Sequence, residues 1–133
     1  MPADIEDLPV IEFARPIPGF PDQFQYVLTR VADDGMLYVL RSLDEPRVRF
    51  LVIPPLPFFP GYEPEIDDDT LELLDVHDAD RLVVLLVVSA GEKVANATVN
   101  LLAPIVVDRV TRRAVQVLLA GADFPLRAPL VVV

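Results

Sequence analysis

The chain contains no cysteine and no tryptophan, a single histidine, His77, and only five glycines. Without cysteine it cannot form a disulfide bond, a zinc–thiolate site or a cysteine nucleophile. It also lacks a Gly-rich phosphate loop. Its longest apolar run, Leu82–Val88, has seven residues, whereas a transmembrane helix needs about twenty. We therefore expect no bound cofactor, no metal ion and no contact with a membrane.

Basic residues are scarce as well. The 133 residues include 11 lysines and arginines against 21 aspartates and glutamates, so the formal net charge is −10. Nucleic acid repels such a chain, because affinity for phosphate groups comes from basic side chains. The charge favours basic proteins as partners instead. The acidic start, Met1–Asp7, has no signal-peptide pattern, which predicts a cytoplasmic location.

Short apolar segments that are rich in β-branched and aromatic residues predict a mainly β fold. Hydrophobic residues make up 53% of the chain, enough for the core of one domain over residues 1–133. The predicted strands are Val10–Phe13, Gln25–Arg30, Met36–Ser42, Val48–Ile53, Leu82–Ser89, Thr98–Asn100, Ile105–Asp108 and Val115–Leu119. Their spacing, near ten residues, is typical of an antiparallel barrel or sandwich.

One or two short helices are predicted near residues 69–80. Asp69 is a candidate N-cap for Thr70–Leu74, since aspartate favours that position. A second turn at Asp78–Asp80 would lead into the strand at Leu82. That strand is apolar throughout rather than alternating, so we expect it to be central and covered on both faces.

Turn signals separate several of the strands. Asp33–Gly35 and Thr111–Arg113 are expected to lie in hairpin connections. The fourteen prolines disfavour long helices and central strands. We expect Pro54–Pro57 to leave the sheet after Ile53 and to run extended across the surface.

The stretch Phe50–Asp80 combines large aromatics with a dense block of carboxylates, a pattern typical of a protein-binding surface. The candidate contact residues are Phe58, Phe59, Tyr62, Glu63, Glu65, Asp67, Asp68 and Asp69. At least one of Phe58 and Phe59 is expected to be buried at the end of the barrel. In an extended chain neighbouring side chains diverge, so one can point inward while its neighbour points outward. An exposed aromatic beside prolines makes a good interface anchor because it loses little side-chain entropy.

The same stretch gives little support for catalysis. A hydrolase would need a nucleophile within reach of His77, and neither Ser42 nor Ser89 lies in a Gly-x-Ser-x-Gly elbow. Three consecutive aspartates, Asp67–Asp69, do not have the alternating spacing of a calcium loop. A small hydrolase that uses His77 and nearby carboxylates stays the alternative to a protein-binding module.

Taken in order, the motifs along the chain are similar to those of the FliW family of flagellar assembly factors. The matching segments span about residues 11–130 and are Ile11–Pro21 (IEFARPIPGFP), Leu40–Pro46 (LRSLDEP), Phe50–Pro54 (FLVIP), Phe58–Ile66 (FFPGYEPEI), Asn100–Ile105 (NLLAPI), Gln116–Leu119 (QVLL) and Asp123–Leu130 (DFPLRAPL). One segment alone would say little, whereas seven in the same order are specific.

The resemblance implies a small barrel-like domain with a little helix and no enzymatic activity. It implies that the chain binds the translational repressor CsrA and antagonises it allosterically, away from the RNA-binding site. It further implies binding to flagellin, with the two partners excluding each other. A direct acidic mimic of RNA at the repressor's site is the remaining alternative mechanism.

One position departs from the family pattern. Relatives often carry asparagine where this chain has Pro54, giving Ile-Asn-Pro rather than Ile53–Pro55. Proline has no side-chain hydrogen-bonding group, so any contact that the amide makes in relatives is missing here.

Overall fold

The structure of the protein, a computed structural model, describes residues 10–31, 37–89, 97–119 and 121–130. These ranges contain nine strands, one α-helix and one short 3-10 helix. The strands are β1 (Val10–Phe13), β2 (Gln25–Arg30), β3 (Tyr38–Ser42), β4 (Arg49–Ile53), β5 (Leu82–Ser89), β6 (Thr98–Val99), β7 (Ile105–Asp108), β8 (Arg113–Gln116) and β9 (Ala128–Pro129). The α-helix, α1, spans Asp68–Leu74, and the 3-10 helix spans Ala79–Arg81.

Seven of the strands close into a barrel, in the order β4-β3-β2-β1-β8-β7-β5 and back to β4. In addition, β6 pairs with the end of β5, and β9 pairs with β6. The predicted mainly β, barrel-like domain with a short helix is confirmed. One pairing is parallel, between β1 and β8. A closed ring of strictly alternating directions needs an even number of strands, so a ring of seven requires at least one parallel pair.

The barrel interior is filled by side chains from alternate positions of its strands. In β1, β2 and β3 buried and exposed residues alternate, as expected when one face meets the core and the other meets solvent. The largest fully buried side chains there include Tyr26, Phe13, Ile11 and Leu40. The ring of Tyr26 contacts that of Phe13 edge to face, with centroids 5.1 Å apart.

The outer surface of the other strands is covered. In β5, Val83, Leu85 and Val87 belong to the interior cluster. The alternate residues Leu86 and Val88 instead pack with β6, β9 and the segment Pro54–Pro60, called here the proline-rich segment. Both faces of β5 therefore meet apolar side chains, and β4, β6 and β7 pair along its edges. This confirms the prediction that the uninterrupted apolar strand is central and covered on both faces.

The helix forms as predicted, but its cap lies two residues earlier. Asp67, not Asp69, is the N-cap: its backbone is extended, and its Oδ1 accepts a hydrogen bond from Thr70 N over 2.9 Å. The cap must reach the third helical N–H group, and α1 begins at Asp68. Three consecutive aspartates made the choice ambiguous in the sequence. The predicted second turn is the 3-10 helix, one residue later than expected.

The predicted and observed strand bounds differ most near the end of the chain. The strand predicted at Val115–Leu119 is β8, Arg113–Gln116. It starts earlier because the hairpin before it is tight: Arg112 adopts a left-handed conformation with φ 66°, and its N–H donates a hydrogen bond to Asp108 O.

No strand was predicted at β9. The expected turn at Asp33–Gly35, and Met36 of the third predicted strand, lie outside the described residues.

Asp108 organises the hairpin between β7 and β8. This carboxylate is fully buried and accepts two hydrogen bonds from Arg81, one from Nε over 3.2 Å and one from Nη2 over 2.7 Å. The backbone of Val110 and the hydroxyl of Thr111 also donate to it. Burial acts to raise the pKa of Asp108, but these four bonds outweigh it and hold the pKa below its ordinary value.

The proline-rich segment is a compact turn, so the prediction that it runs extended is wrong. Both Phe58 N and Phe59 N donate to Pro55 O, over 3.1 and 2.7 Å, and Tyr62 N donates to Phe59 O. Proline fixes φ near −65°, which suits turns as well as extended chain. Here the aromatic side chains that follow decide between the two, because folding back buries them against the barrel.

Candidate functional site

The three candidate aromatics pack onto the outside of the barrel. Phe58 and Phe59 are both half-buried against the cluster that contains Ile53 and Leu86. At least one of the two was expected to pack against the barrel, and both do. The divergence of neighbouring side chains assumed an extended chain, whereas the turn at Pro55 directs both side chains to the same cluster.

Tyr62 is held in place by three kinds of contact. Its hydroxyl donates to Leu101 O over 2.7 Å, and its ring meets Phe124 edge to face with centroids 4.9 Å apart. It also contacts both apolar clusters on the outside of the barrel. Burial raises the pKa of Tyr62 to about 12. The side chain therefore fastens the segment before α1 to the barrel.

A groove of about 610 Å³ lies beside Tyr62 and brings the candidate carboxylates against an apolar wall. Its lining includes Glu63, Glu65 and Asp67 from one segment. The rest comes from Val117–Leu119, a stretch after β8, and from residues around Phe124. We call this feature the acidic groove.

The apolar wall of the acidic groove was missed by sequence reasoning. Val117 and Leu119 are buried, and their N–H groups donate to Pro104 O and Leu102 O over 2.9 Å. Leu118 lies between them with 66% of its surface exposed. A signal was present in the sequence: in the alternation of this stretch, Leu118 occupies a position where a polar residue is expected.

The three consecutive aspartates have different roles. Asp67 caps α1, and hydrogen bonds from the hydroxyl and the N–H of Thr70 hold the pKa of its carboxyl below the ordinary value. Asp68 and Asp69 lie in the first helical turn and are exposed, where their charge stabilises the positive end of the helix dipole. The described residues contain no group of three acidic or histidine side chains placed to share a metal ion.

The structure does not bring His77 to either serine hydroxyl within the ranges it describes. The imidazole is 91% exposed, and its Nε2 lies 3.6 Å from Asp75 Oδ1. The Ser42 hydroxyl is buried between β3 and the loop before β2, where it donates to Gln23 Oε1. Ser89 is exposed at the end of β5. His77 is therefore a solvated loop histidine, and neither serine is placed as a nucleophile in contact with it.

None of the helices within the described residues has both the length and the apolar character needed to cross a membrane.

Comparison with known proteins gives a consistent result. The sequence profile of the family described as "FliW protein" matches residues 2–130. The "Flagellar assembly factor FliW" of Bacillus velezensis is 35% identical over 120 residues, which is 90% of this chain and 84% of that protein. The protein of the same name from Bacillus subtilis is 32% identical over 127 residues, covering 96% and 89%. These names denote assembly factors rather than enzymes.

The fold agrees with a solved relative. The chain superimposes on the "Crystal structure of the flagellar assembly factor FliW" with a TM-score of 0.85 and 28% sequence identity, over 96% of this chain and 89% of that one. Sequence and architecture thus agree over nearly the whole length, and the chain belongs to the FliW family.

Proposed function

We propose that this chain is a non-enzymatic flagellar assembly factor that acts in the cytoplasm. It binds a translational repressor of the CsrA type and antagonises it, and it also binds flagellin. The two partners exclude each other, so free flagellin holds the antagonist and leaves the repressor active. Secretion of flagellin then releases the antagonist and restores flagellin synthesis. Membership of the FliW family supports this function.

The acidic groove is the observation that carries the proposal. It places the carboxylates of Glu63 and Glu65 beside the exposed side chain of Leu118. An apolar anchor within a charged rim is the usual build of a protein-binding site. We assign the repressor to this groove, since a protein that binds RNA carries basic surface and the rim is acidic.

The aromatics have a supporting role in this proposal. Phe58, Phe59 and Tyr62 are half-buried in apolar clusters, so most of their contact surface is already used within the chain. They hold Glu63 and Glu65 at the rim of the groove. Asp68 and Asp69 extend the acidic surface onto the first turn of α1.

Charge supports the pairing at long range. A chain of net charge −10 attracts a basic repressor before contact, which raises the association rate. Salt screens this attraction. Repressor affinity should therefore fall as salt is added, and a flat salt dependence would contradict the electrostatic part of the proposal.

Titration calorimetry with purified repressor and with flagellin tests the groove. The double variant Glu63→Gln/Glu65→Gln should weaken repressor binding by roughly tenfold or more, because two rim charges are lost. The control is Asp22→Asn/Asp44→Asn, which removes the same charge from two exposed carboxylates outside the groove. Equal affinity of both doubles would place the repressor elsewhere, and no binding of either partner by the unmodified chain would reject the function.

Competition with RNA separates the two mechanisms of antagonism. An allosteric antagonist forms a transient complex with repressor and RNA together and accelerates release of the RNA. A mimic of RNA would compete for the same site, and excess RNA would displace it. Stopped-flow release of labelled RNA, measured over a range of chain concentrations, distinguishes saturable acceleration from simple competition.

A further inference from the structure

The two halves of the barrel differ in what lies on their outer surface. Helix α1, the proline-rich turn, β6 and β9 pack over the outer side chains of β5, β7 and β8. By contrast, the outward positions of β1, β2 and β3 are exposed or half-buried, and no described segment of the chain covers them. This uncovered face lies apart from the acidic groove.

Strand register places two arginines side by side on this face. Val10 lies opposite Val27, Val27 opposite Arg41, and Arg41 opposite Arg49. One row therefore crosses β1 to β4 and ends in two adjacent arginines. Both are exposed. We call the surface around this row the arginine face.

Like charges directly opposite each other in an antiparallel pair destabilise the sheet. A carboxylate opposite Arg41 or Arg49 would relieve the repulsion, yet within the described residues neither arginine has an ion pair. Two other arginines do have such partners: Arg47 binds Glu45, and Arg81 binds Asp108. Within the described part of the chain, the repulsion between Arg41 and Arg49 is therefore not offset by a paired carboxylate.

Apolar side chains surround the arginine pair. Val10 and Leu43 are 37% and 45% exposed, and Leu43 extends the ladder through a hydrogen bond from its N–H to Gln25 O. Val27 and Val39 are half-buried on the same face. Glu12 is the one carboxylate at an outward position of β1 to β4, and it lies opposite Arg113 of β8. Arginine among apolar residues, with few acids, is the composition of protein interface cores.

We propose that the arginine face binds an acidic, partly apolar segment of a partner protein. The guanidinium groups of Arg41 and Arg49 pair with carboxylates of the partner, since arginine matches carboxylate geometry with two parallel hydrogen bonds. Val10, Val27 and Leu43 take apolar side chains between these charges. The occupant is a protein segment rather than a nucleic acid because two arginines beside Val10 and Leu43 offer apolar contacts and few basic groups for a phosphate backbone. The net charge of −10 also repels a long polyphosphate more strongly than a short segment with a few carboxylates. This surface is independent of the function proposed for the acidic groove.

A short synthetic peptide that alternates glutamate with leucine serves as the probe. Amide NMR spectra of the labelled chain should show shifts concentrated in β1, β2, β3 and Arg49, and no comparable shifts around Glu63–Asp67. A peptide with glutamine in place of glutamate should bind at least tenfold more weakly, because the charge-assisted bonds are lost. Shifts that are scattered, or equal for the two peptides, would overturn the proposal.

Variants separate binding from folding. Arg49→Glu should weaken binding of the acidic peptide by roughly tenfold or more. The same change replaces a like-charge opposition with an Arg–Glu pair, so the melting temperature should rise. Arg47→Glu is the control, because that side chain is 90% exposed and bonded to Glu45, and it should leave peptide affinity within about twofold. If Arg47→Glu lowered peptide affinity as much as Arg49→Glu, the effect would come from net charge alone, and the proposed site would be rejected.

Other occupants are outcomes that would contradict the proposal. If short duplex DNA or inorganic phosphate shifts the same amides as strongly as the peptide, the face is a general anion site. If sedimentation shows that the unmodified chain dimerises and that Arg41→Glu makes it monomeric, the face joins two copies of this chain instead.

Discussion

The hydroxyl group of Tyr62 and the carbonyl oxygen of Leu101 form a 2.7 Å hydrogen bond between residues 39 positions apart. Tyr62 belongs to the segment that carries the candidate carboxylates, and Leu101 is buried in the cluster between β5, β6 and β9. The bond, together with the edge-to-face contact with Phe124, fixes the carboxylate-bearing side of the acidic groove to the barrel. Rigid placement of a binding surface lowers the entropic cost of association.

Removing one hydroxyl should have different effects on stability at two tyrosines. Tyr62→Phe leaves Leu101 O without its donor and should lower the free energy of unfolding by about 1 kcal/mol. The hydroxyl of Tyr26 is buried in the barrel and has no hydrogen-bond partner in the described structure. Tyr26→Phe should therefore change stability by less than about 0.5 kcal/mol or increase it. Urea unfolding of both variants measures the difference, and equal losses would contradict the assignment.

Tyr62 should also set an alkaline limit on stability. Burial raises its pKa in the folded state from the ordinary 10.0 to about 12, so the folded chain holds this proton over a range where the unfolded chain has lost it. Stability should be unaffected below pH 10 and should fall as the pH rises from 10 towards 12. Phenolate absorbance against pH should show this titration in the native chain, and the step should be absent from Tyr62→Phe.

The pair formed by the half-buried Arg81 and the buried Asp108 predicts a large effect of a single substitution. Asp108→Asn removes the charge that Arg81 pairs with and breaks at least part of a set of four hydrogen bonds to the buried carboxylate. We expect a loss of about 3–5 kcal/mol. The control, Asp80→Asn, alters an exposed neighbour and should cost under about 0.5 kcal/mol.

The carboxyl group of Asp108 should also make the stability of the fold depend on pH in the acidic range. Its folded-state pKa lies below the ordinary 3.8, so its contribution is present above that pH and is lost as the pH falls below it. Thermal unfolding of the native chain and of Asp108→Asn, compared between neutral and strongly acidic buffer, should show a smaller acid loss in the variant.

Asp67 is expected to affect folding more than binding. Asp67→Ala removes the N-cap of α1 and should lower the melting temperature by a few degrees, whereas Asp67→Asn keeps an acceptor and should lower it less. Repressor affinity should change less in Asp67→Asn than in Glu65→Gln, because the Asp67 carboxylate is bonded to Thr70. The reverse order of affinities would place the binding charge at the cap.

Leu118 should act as the apolar anchor of the acidic groove. Its side chain is 66% exposed, so Leu118→Ala should leave stability within about 0.5 kcal/mol. Repressor binding should weaken by about 1–2 kcal/mol if the side chain fills a pocket on the partner. Val110→Ala, at an exposed apolar residue of the β7–β8 hairpin, is the control, and calorimetry that found equal affinities for the two variants would remove Leu118 from the interface.

Elements that depend on local pattern were predictable. The alternation in β1 and β2 and the continuous apolar run of β5 each indicated the right strand and the right burial. The short helix was predicted too, although its cap was placed at Asp69 instead of Asp67. Boundaries were less certain because neighbouring residues of equal propensity compete for the same position.

The proline-rich segment and the groove were harder to predict because they depend on distant residues. Prolines permit both a turn and an extended chain, and the choice was made by burial of Phe58 and Phe59 against β4 and β5. Likewise, Val117–Leu119 lies more than fifty residues from Glu63, and only closure of the barrel brings the two together. No local pattern contains such a contact.

The sequence by itself determined that this is a small, acidic, mainly β domain of the FliW family, because composition, hydrophobic period and ordered motifs are properties of the chain alone. Tertiary structure alone decided which side chains share a surface. Closing seven strands required one parallel pairing, and that closure assigned one outer half of the barrel to the covering segments and left Arg41 beside Arg49 on the other. Strand register is a long-range outcome of packing, and both candidate binding surfaces follow from it.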